Sequence, residues 1–295
     1  MAPVPPADGT TNTLRAIVCL LLSALLMASM NSAVRYLSPE LHPFEIVFFR
    51  NLFTFFLVAP MLLRYGTVML KTKRFGGHLG RAALNVVNLM VYFYAVSITS
   101  LSDVVALGFT APVFATVLSI VILGEVVGIR RWLAIVCGFT GALVILQPSF
   151  DEVVTGQMLV LAAALMWAGC LLIIKSQSRT EASVTIVAYM SLLTTPMAMV
   201  PALFVWQWPD LHQLAWLVFI GVSGGGQFLL AQALHDADLS VVMPLDFSKL
   251  IWVIVIAYLA FGEVPAPTTW IGGAMIFLSA LYIARRESRV RRPTA

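Results

Sequence analysis

The chain has 295 residues, 60% hydrophobic and 11% charged, with a formal charge of +4. A soluble domain carries about 25% charged residues, so the composition excludes an aqueous globular protein and reads as an integral membrane protein. The mean hydropathy of +0.93 agrees, and the excess of positive charge is explained by where it lies, not by nucleic acid. Lipid is then the solvent, and helices are what satisfy the backbone within it.

Residues 1–13 are polar and proline-rich and read as a short disordered cytoplasmic tail. The next run has only Arg15 before it and no small-residue cleavage site, so it reads as a span and not as a signal peptide. Ten apolar runs are expected to cross the bilayer, at 14–34, 44–63, 79–98, 102–123, 131–147, 155–174, 183–205, 213–233, 239–261 and 268–285. Roughly 20 residues at about 1.5 Å rise suffice for each crossing.

In the first run Asn31 and Arg35 lie four apart, with Arg35 close enough to the end to snorkel to the interface. Arg50 sits about 9 Å inside the second; it either snorkels or pairs with a carboxylate or an anionic substrate group. The third places Asn85, Asn88 and Tyr92 on one helical face, a stripe that either bonds neighbouring helices or lines a cavity. Pro112 in the fourth and Pro244 in the ninth each free a carbonyl that binds substrate or simply bends its helix. Gly224-Gly225-Gly226 and the following Gln227 weaken the eighth, for packing, for a hinge or for substrate contact.

The ninth run holds the strongest signal. Asp246 and Lys249 are opposite charges three positions apart, hence on one face. Each costs roughly 2.5–3.5 kcal/mol to place inside a membrane on insertion scales. Such residues face protein or a wet cavity, which points to a site. Trp252 beside them either packs or stacks on a ligand. The four histidines show no helical zinc spacing, the three cysteines lie in apolar runs, and no phosphate-binding loop is present. No catalytic residue, metal or cofactor is expected.

A shift of 138 positions exposes the plan. Leu101-Ser102-x-Val104-x-x-Leu107-x-Phe109 falls on Leu239-Ser240-x-Val242-x-x-Leu245-x-Phe247, Gly124-Glu125-Val126 on Gly262-Glu263-Val264, and Trp132 on Trp270. Of the 47 pairs between 101–147 and 239–285, 14 are identical without a gap, and the fixed spacing of the landmarks favours duplication over shared apolar composition. The expected division is 14–148 and 149–286, five spans each, followed by a basic cytoplasmic tail at 287–295. An odd number of spans inserts the second half from the opposite side. With the N-terminus in the cytoplasm, 15 of the 18 Lys and Arg residues fall on cytoplasmic segments, as the positive-inside rule requires. The expected fold is an all-α integral membrane protein of ten transmembrane helices, built as two inverted-topology five-helix repeats, with both termini cytoplasmic.

Leu-Ser-Asp-Val-Val-Ala-Leu-x-Phe-Thr-Ala-Pro-Val-Phe-Ala from residue 101, with the later Leu-Gly-Glu and Arg-Arg-Trp-Leu-Ala, resembles the EamA-type repeats of the drug/metabolite transporter superfamily. The second repeat departs from the pattern at Val241-Val242-Met243-Pro244-Leu245-Asp246. The resemblance implies a ten-helix inner-membrane carrier for metabolites, driven by a gradient or by exchange. The expected function is secondary active transport of a small polar, amino-acid-like metabolite by alternating access about a midplane site. Relatives that take up riboflavin or S-adenosylmethionine supply the alternative of a larger solute. A non-transporting scaffold or a membrane enzyme is the distant alternative. Expected partners are the metabolite, membrane lipid and, where a gradient drives transport, coupled protons. The residues expected to meet substrate are Asp246, Lys249, Asn85, Asn88, Tyr92, Gln227, Trp252, Arg50 and Asn31.

Overall fold

A computed structural model describes residues 13–65, 72, 74–124, 128–146, 155–177, 180–181, 183–236 and 245–290. Within them the chain is helical between short connections: α1 (Thr13–Leu37), α2 (Pro43–Tyr65), α3 (Phe75–Ile98), α4 (Leu101–Gly108), α5 (Ala111–Leu123) and α6 (Ile129–Leu146). The second half supplies α7 (Thr155–Gln177), α8 (Ser183–Leu203), α9 (Leu211–Ser223), α10 (Gly226–Asp236), α11 (Ser248–Phe261) and α12 (Pro267–Val290). Among the described residues, five stretches are long and apolar enough to cross a membrane by themselves: Leu14–Leu37, Phe75–Ile98, Leu101–Ile122, Thr155–Ile174 and Leu211–Leu230. The remaining helices complete an arrangement of about ten spans.

Among the described residues, the fourth and the eighth expected spans are each made of two helices. The fourth breaks at Phe109 and Thr110, where the Thr110 hydroxyl donates to the Leu107 carbonyl at 2.6 Å. Pro112 lies in the first turn of α5, where its missing N–H leaves no helical bond unmade. It therefore starts a helix and does not bend one, contrary to the kink its position within an apolar run suggests. The eighth breaks at Gly224 and Gly225, as the glycine triplet foretells, with Gly225 N donating to Val222 O at 2.8 Å. Pro244 lies outside the described residues.

Two-fold pseudo-symmetry is visible in the contacts. Pairing each span with the one five later, the packing of α3 on α7 is matched by α10 on α1, and α2 on α9 by α8 on α3. The packing of α1 on α11 is matched by α7 on α4 and α5. Gly124 and Gly262, equivalent under the 138-residue shift, both end their helices in the left-handed region at φ 66° and 68°. That is a conformation that glycine adopts without a Cβ penalty.

The crossing of α6 and α12 fixes the symmetry axis. Cys137 Sγ lies 3.8 Å from Met275 O, and these two residues are equivalents. On one side a Cβ on Gly141 would lie 2.7 Å from Gly272 O. On the other Ser279 Oγ donates to Ala134 O at 2.5 Å. Under the shift, the first contact is the mate of the second. Residue numbers rise along α6 as their contacts fall along α12, so the equivalent helices run antiparallel. That is the relation expected of an inverted repeat.

Polar contacts tie the bundle at both ends. At the end carrying the α1–α2 connection, Arg35 does not simply reach for the interface as its sequence position suggests. Its Nη1 donates to the carbonyls of Val96 and Thr99 at 3.0 and 2.9 Å, and Nη2 lies 3.4 Å from Glu263. The same glutamate accepts from Leu101 N at 3.1 Å. Nearby, Asp103 accepts from Thr269 at 2.6 Å and from Gln157 at 2.9 Å. At the opposite end buried His78 bonds Glu181 and stacks on Tyr189 at 4.6 Å, while Arg81 holds Gln177 at 3.0 Å. Burial would raise the Glu181 carboxyl pKa, but the bonds from Thr72 and His78 and the charges of His78 and Arg74 hold it below its usual range.

Candidate substrate-binding site

The sequence-predicted residues gather in three places around one central apolar cluster, against which Met27, Tyr92, Phe109, Phe247 and Trp252 pack partly buried. The first is where the broken fourth span meets the start of α11, inside the ninth. Phe109 and Phe247 are repeat equivalents, and their ring centroids are 5.2 Å apart. They straddle the pseudo-two-fold axis, as two equivalents in contact must. Phe277 adds a third ring, 4.3 Å from Phe247.

Asp246 and Lys249 flank Phe247. Their charged atoms are 3.6 Å apart, with side chains 22% and 24% exposed. Lys249 Nζ also stands 5.8 Å from the Phe109 ring centroid, within reach of the ring's negative face. Under the repeat their counterparts are Gly108 and Ala111. Charge is thus carried on one arm of the crossing only.

The second place joins α1 and α3. Asn31 Nδ2 donates to Tyr92 Oη at 3.1 Å. Asn31, Asn85 and Asn88 are buried, so the stripe read from the third span faces protein. Asn31 Oδ1 and Asn88 Oδ1 are buried without a protein partner. Gln157, which joins α7 to Asp103, leaves its Oε1 unpartnered in the same way. The two asparagine oxygens accept hydrogen bonds and are suited to an N–H or O–H donor.

The third place is the α9–α10 break. Arg50 is 6% exposed, so it does not snorkel. Its Nη1 donates to the neutral Asn51 Oδ1 at 3.2 Å, and its Nε has no partner. A Cβ on Gly224 would lie 3.3 Å from that Nε. The break is stitched to its neighbours by Thr54 on Gly221 O at 3.0 Å and Ser23 on Gly226 O at 2.7 Å. Gln227 is exposed on α10, and Trp252 is partly buried on α11.

Several contributors were not singled out from sequence: Phe109, Phe247, Ser223, Thr54 and Ser23. The 138-residue shift marks the two phenylalanines, since only equivalents can meet on the axis. Nothing local marks the hydroxyl residues: Thr54 and Ser23 bond carbonyls far along the chain, and Ser223 Oγ has no partner among the described residues. A cavity of about 290 Å³ lined by Arg74, Gly77, Ile173, Ser176 and Gln177 opens between α3 and α7. None of the predicted site residues lines it.

Known proteins resemble the chain along nearly its whole length. A riboflavin transporter of Vibrio cholerae serotype O1 is 33% identical over 286 residues, 95% of this chain and 96% of that one. An S-adenosylmethionine uptake transporter of Rickettsia bellii is 28% identical over 270 residues, 91% of this chain and 93% of its own. A solved crystal structure covers 96% of this chain and 98% of its own at a TM-score of 0.59 and 15% identity, a likeness of fold alone. The model of the EamA-like transporter family matches residues 14–147 and again 154–285. The chain is therefore a multi-pass membrane transporter, not an enzyme, and belongs to the EamA-like family of the drug/metabolite transporter superfamily.

Proposed function

We propose that the chain takes up riboflavin, or a closely similar flat heterocycle bearing hydroxyls, by alternating access across the inner membrane. The larger solute is preferred to the amino-acid-like one expected from sequence. The observation that carries the substrate class is the pair of idle amide oxygens, Asn31 Oδ1 and Asn88 Oδ1, around a core edged with aromatic rings. Idle acceptors suit ring N–H and sugar-alcohol O–H donors, and aromatic faces suit a flat ring. Full-length similarity to the Vibrio riboflavin transporter supports the same reading.

S-adenosylmethionine is the second reading, supported by similarity to the Rickettsia carrier. Its carboxylate suits Arg50, but its sulfonium and ammonium need a free carboxylate. Asp246 is already engaged by Lys249, and Arg50 leaves the described centre positive. Labelled uptake in cells unable to make riboflavin decides between the two. Saturable riboflavin accumulation, competed by unlabelled riboflavin and not by S-adenosylmethionine, is expected. Accumulation of S-adenosylmethionine alone by a well-expressed protein would reject the flavin reading.

The proposed orientation puts both termini in the cytoplasm, with the halves dividing at 148/149. Single cysteines at Gly128 and Ala266 in a cysteine-free background are then expected to label from opposite sides. Labelling of both from one side contradicts it.

A further inference from the structure

The α9–α10 break carries an inference that does not depend on which solute is transported. We infer that Arg50, Ser223 and the first turn of α10 form a binding site for an anionic group: an oxyanion or a halide.

Arg50 is buried within a bilayer span with one neutral partner, Asn51, and an unpartnered Nε. An ionisable side chain inside a span is costly and by default marks a site, with its partner still to be named. Beside it Ser223 is fully buried, and its Oγ also lacks a partner. Ser223 adjoins Gly224 in the chain, and Arg50 Nε lies 3.3 Å from where a Cβ on Gly224 would stand.

The backbone there adds a third contribution. α10 is an 11-residue helix whose first turn is the positive end of a helix dipole, with Gln227 N and Phe228 N already donating to Gly224 O and Gly225 O. The negative end of α9 faces the same break, where the carbonyls of residues 220–222 are occupied. Ile220 O and Val222 O accept from the backbone, and Gly221 O accepts from Thr54. On the far side of the break Gly226 O accepts from Ser23. Glycines at 224 and 226 let neighbouring side chains close in, with Thr54 Oγ1 2.9 Å and the Met27 methyl 3.0 Å from where a Cβ would stand.

The anion has two possible sources: a group on the transported molecule, or a free inorganic ion bound beside it. Melting of the full-length protein in detergent, at fixed pH and ionic strength, separates them. Potassium gluconate is replaced stepwise by chloride or inorganic phosphate, and in parallel flavin mononucleotide is compared with riboflavin. A saturable rise in melting temperature with chloride or phosphate identifies a free ion. A rise with flavin mononucleotide that neither riboflavin nor the inorganic ions reproduce identifies a substrate-borne group.

In either case Arg50→Gln is expected to move the midpoint of the rise upward by about tenfold or more, the value of one charge-assisted bond. Ser223→Ala moves it less. Arg50→Lys keeps the charge but not the Nε geometry, and gives an intermediate midpoint. Should Arg50→Gln fail to fold, the other two variants decide. Unchanged midpoints in Ser223→Ala and Arg50→Lys, or no rise with any anion in the unmodified protein, overturn the inference.

Discussion

Gly272→Ala is expected to lower the melting temperature of the purified protein sharply, whereas Gly80→Ala leaves it almost unchanged. A Cβ on Gly272 meets Gly141 O across the α6–α12 crossing and stands 2.6 Å from Ile145 Cγ1. Neither neighbour yields easily, because one is backbone and the other is a branched side chain at the same contact. Overpacking of this kind costs about 1–3 kcal/mol, occasionally more. A Cβ on Gly80 meets nothing within 4 Å, and alanine there gains up to about 1 kcal/mol in helix propensity. The comparison thus isolates the contact from the loss of glycine. Equal melting temperatures for the two variants would mean that the helices separate freely at this point and that the crossing is not a rigid pivot.

Asp246→Asn and Lys249→Gln are each expected to reduce flux in liposomes by about tenfold or more, the scale of one charged contact. The double variant is expected to remain as inactive as either single one. A closed structural ion pair predicts the opposite outcome. There, single substitutions strand a charge at a cost of about 3–5 kcal/mol, and removing both partners restores the balance. Several features favour a working pair. Both side chains are about a quarter exposed, and the lysine is shared between Asp246 and the face of Phe109. The pair stands where the fourth and ninth spans cross, on one arm alone. We therefore propose that it handles substrate or a proton during the change of access. Full flux from a well-expressed double variant would remove Asp246 and Lys249 from the site.

The number of spans and their repeat were legible in the sequence because both rest on properties of the chain itself. Apolar length marks a span, and a fixed offset marks a duplication. Gly124 with Gly262, Phe109 with Phe247 and Cys137 with Met275 obey that offset in space. The break at Phe109 was hidden, since a proline at 112 inside an apolar run reads as a bend until the turn before it is seen. The Arg35–Glu263 pair and the bonds of Asp103 were equally hidden, because their partners are brought together only by tertiary packing. The glycine triplet announced a weak point in the eighth span. It did not announce that a buried arginine would face it. Local pattern tells which residues are unusual for lipid, whereas their company is set by helices distant in the chain.

The axis through Phe109/Phe247 and Cys137/Met275 has a bearing on how such a chain diverges. In an assembly of two identical five-helix units, every change at these positions is made twice and meets its own copy. A charge pair at the crossing would then face a second, like pair across a few ångströms. Joining the units in one polypeptide removes that obligation. One copy keeps Gly108 and Ala111 while the other acquires Asp246 and Lys249. Fusion thus lets the two halves carry different side chains at equivalent positions.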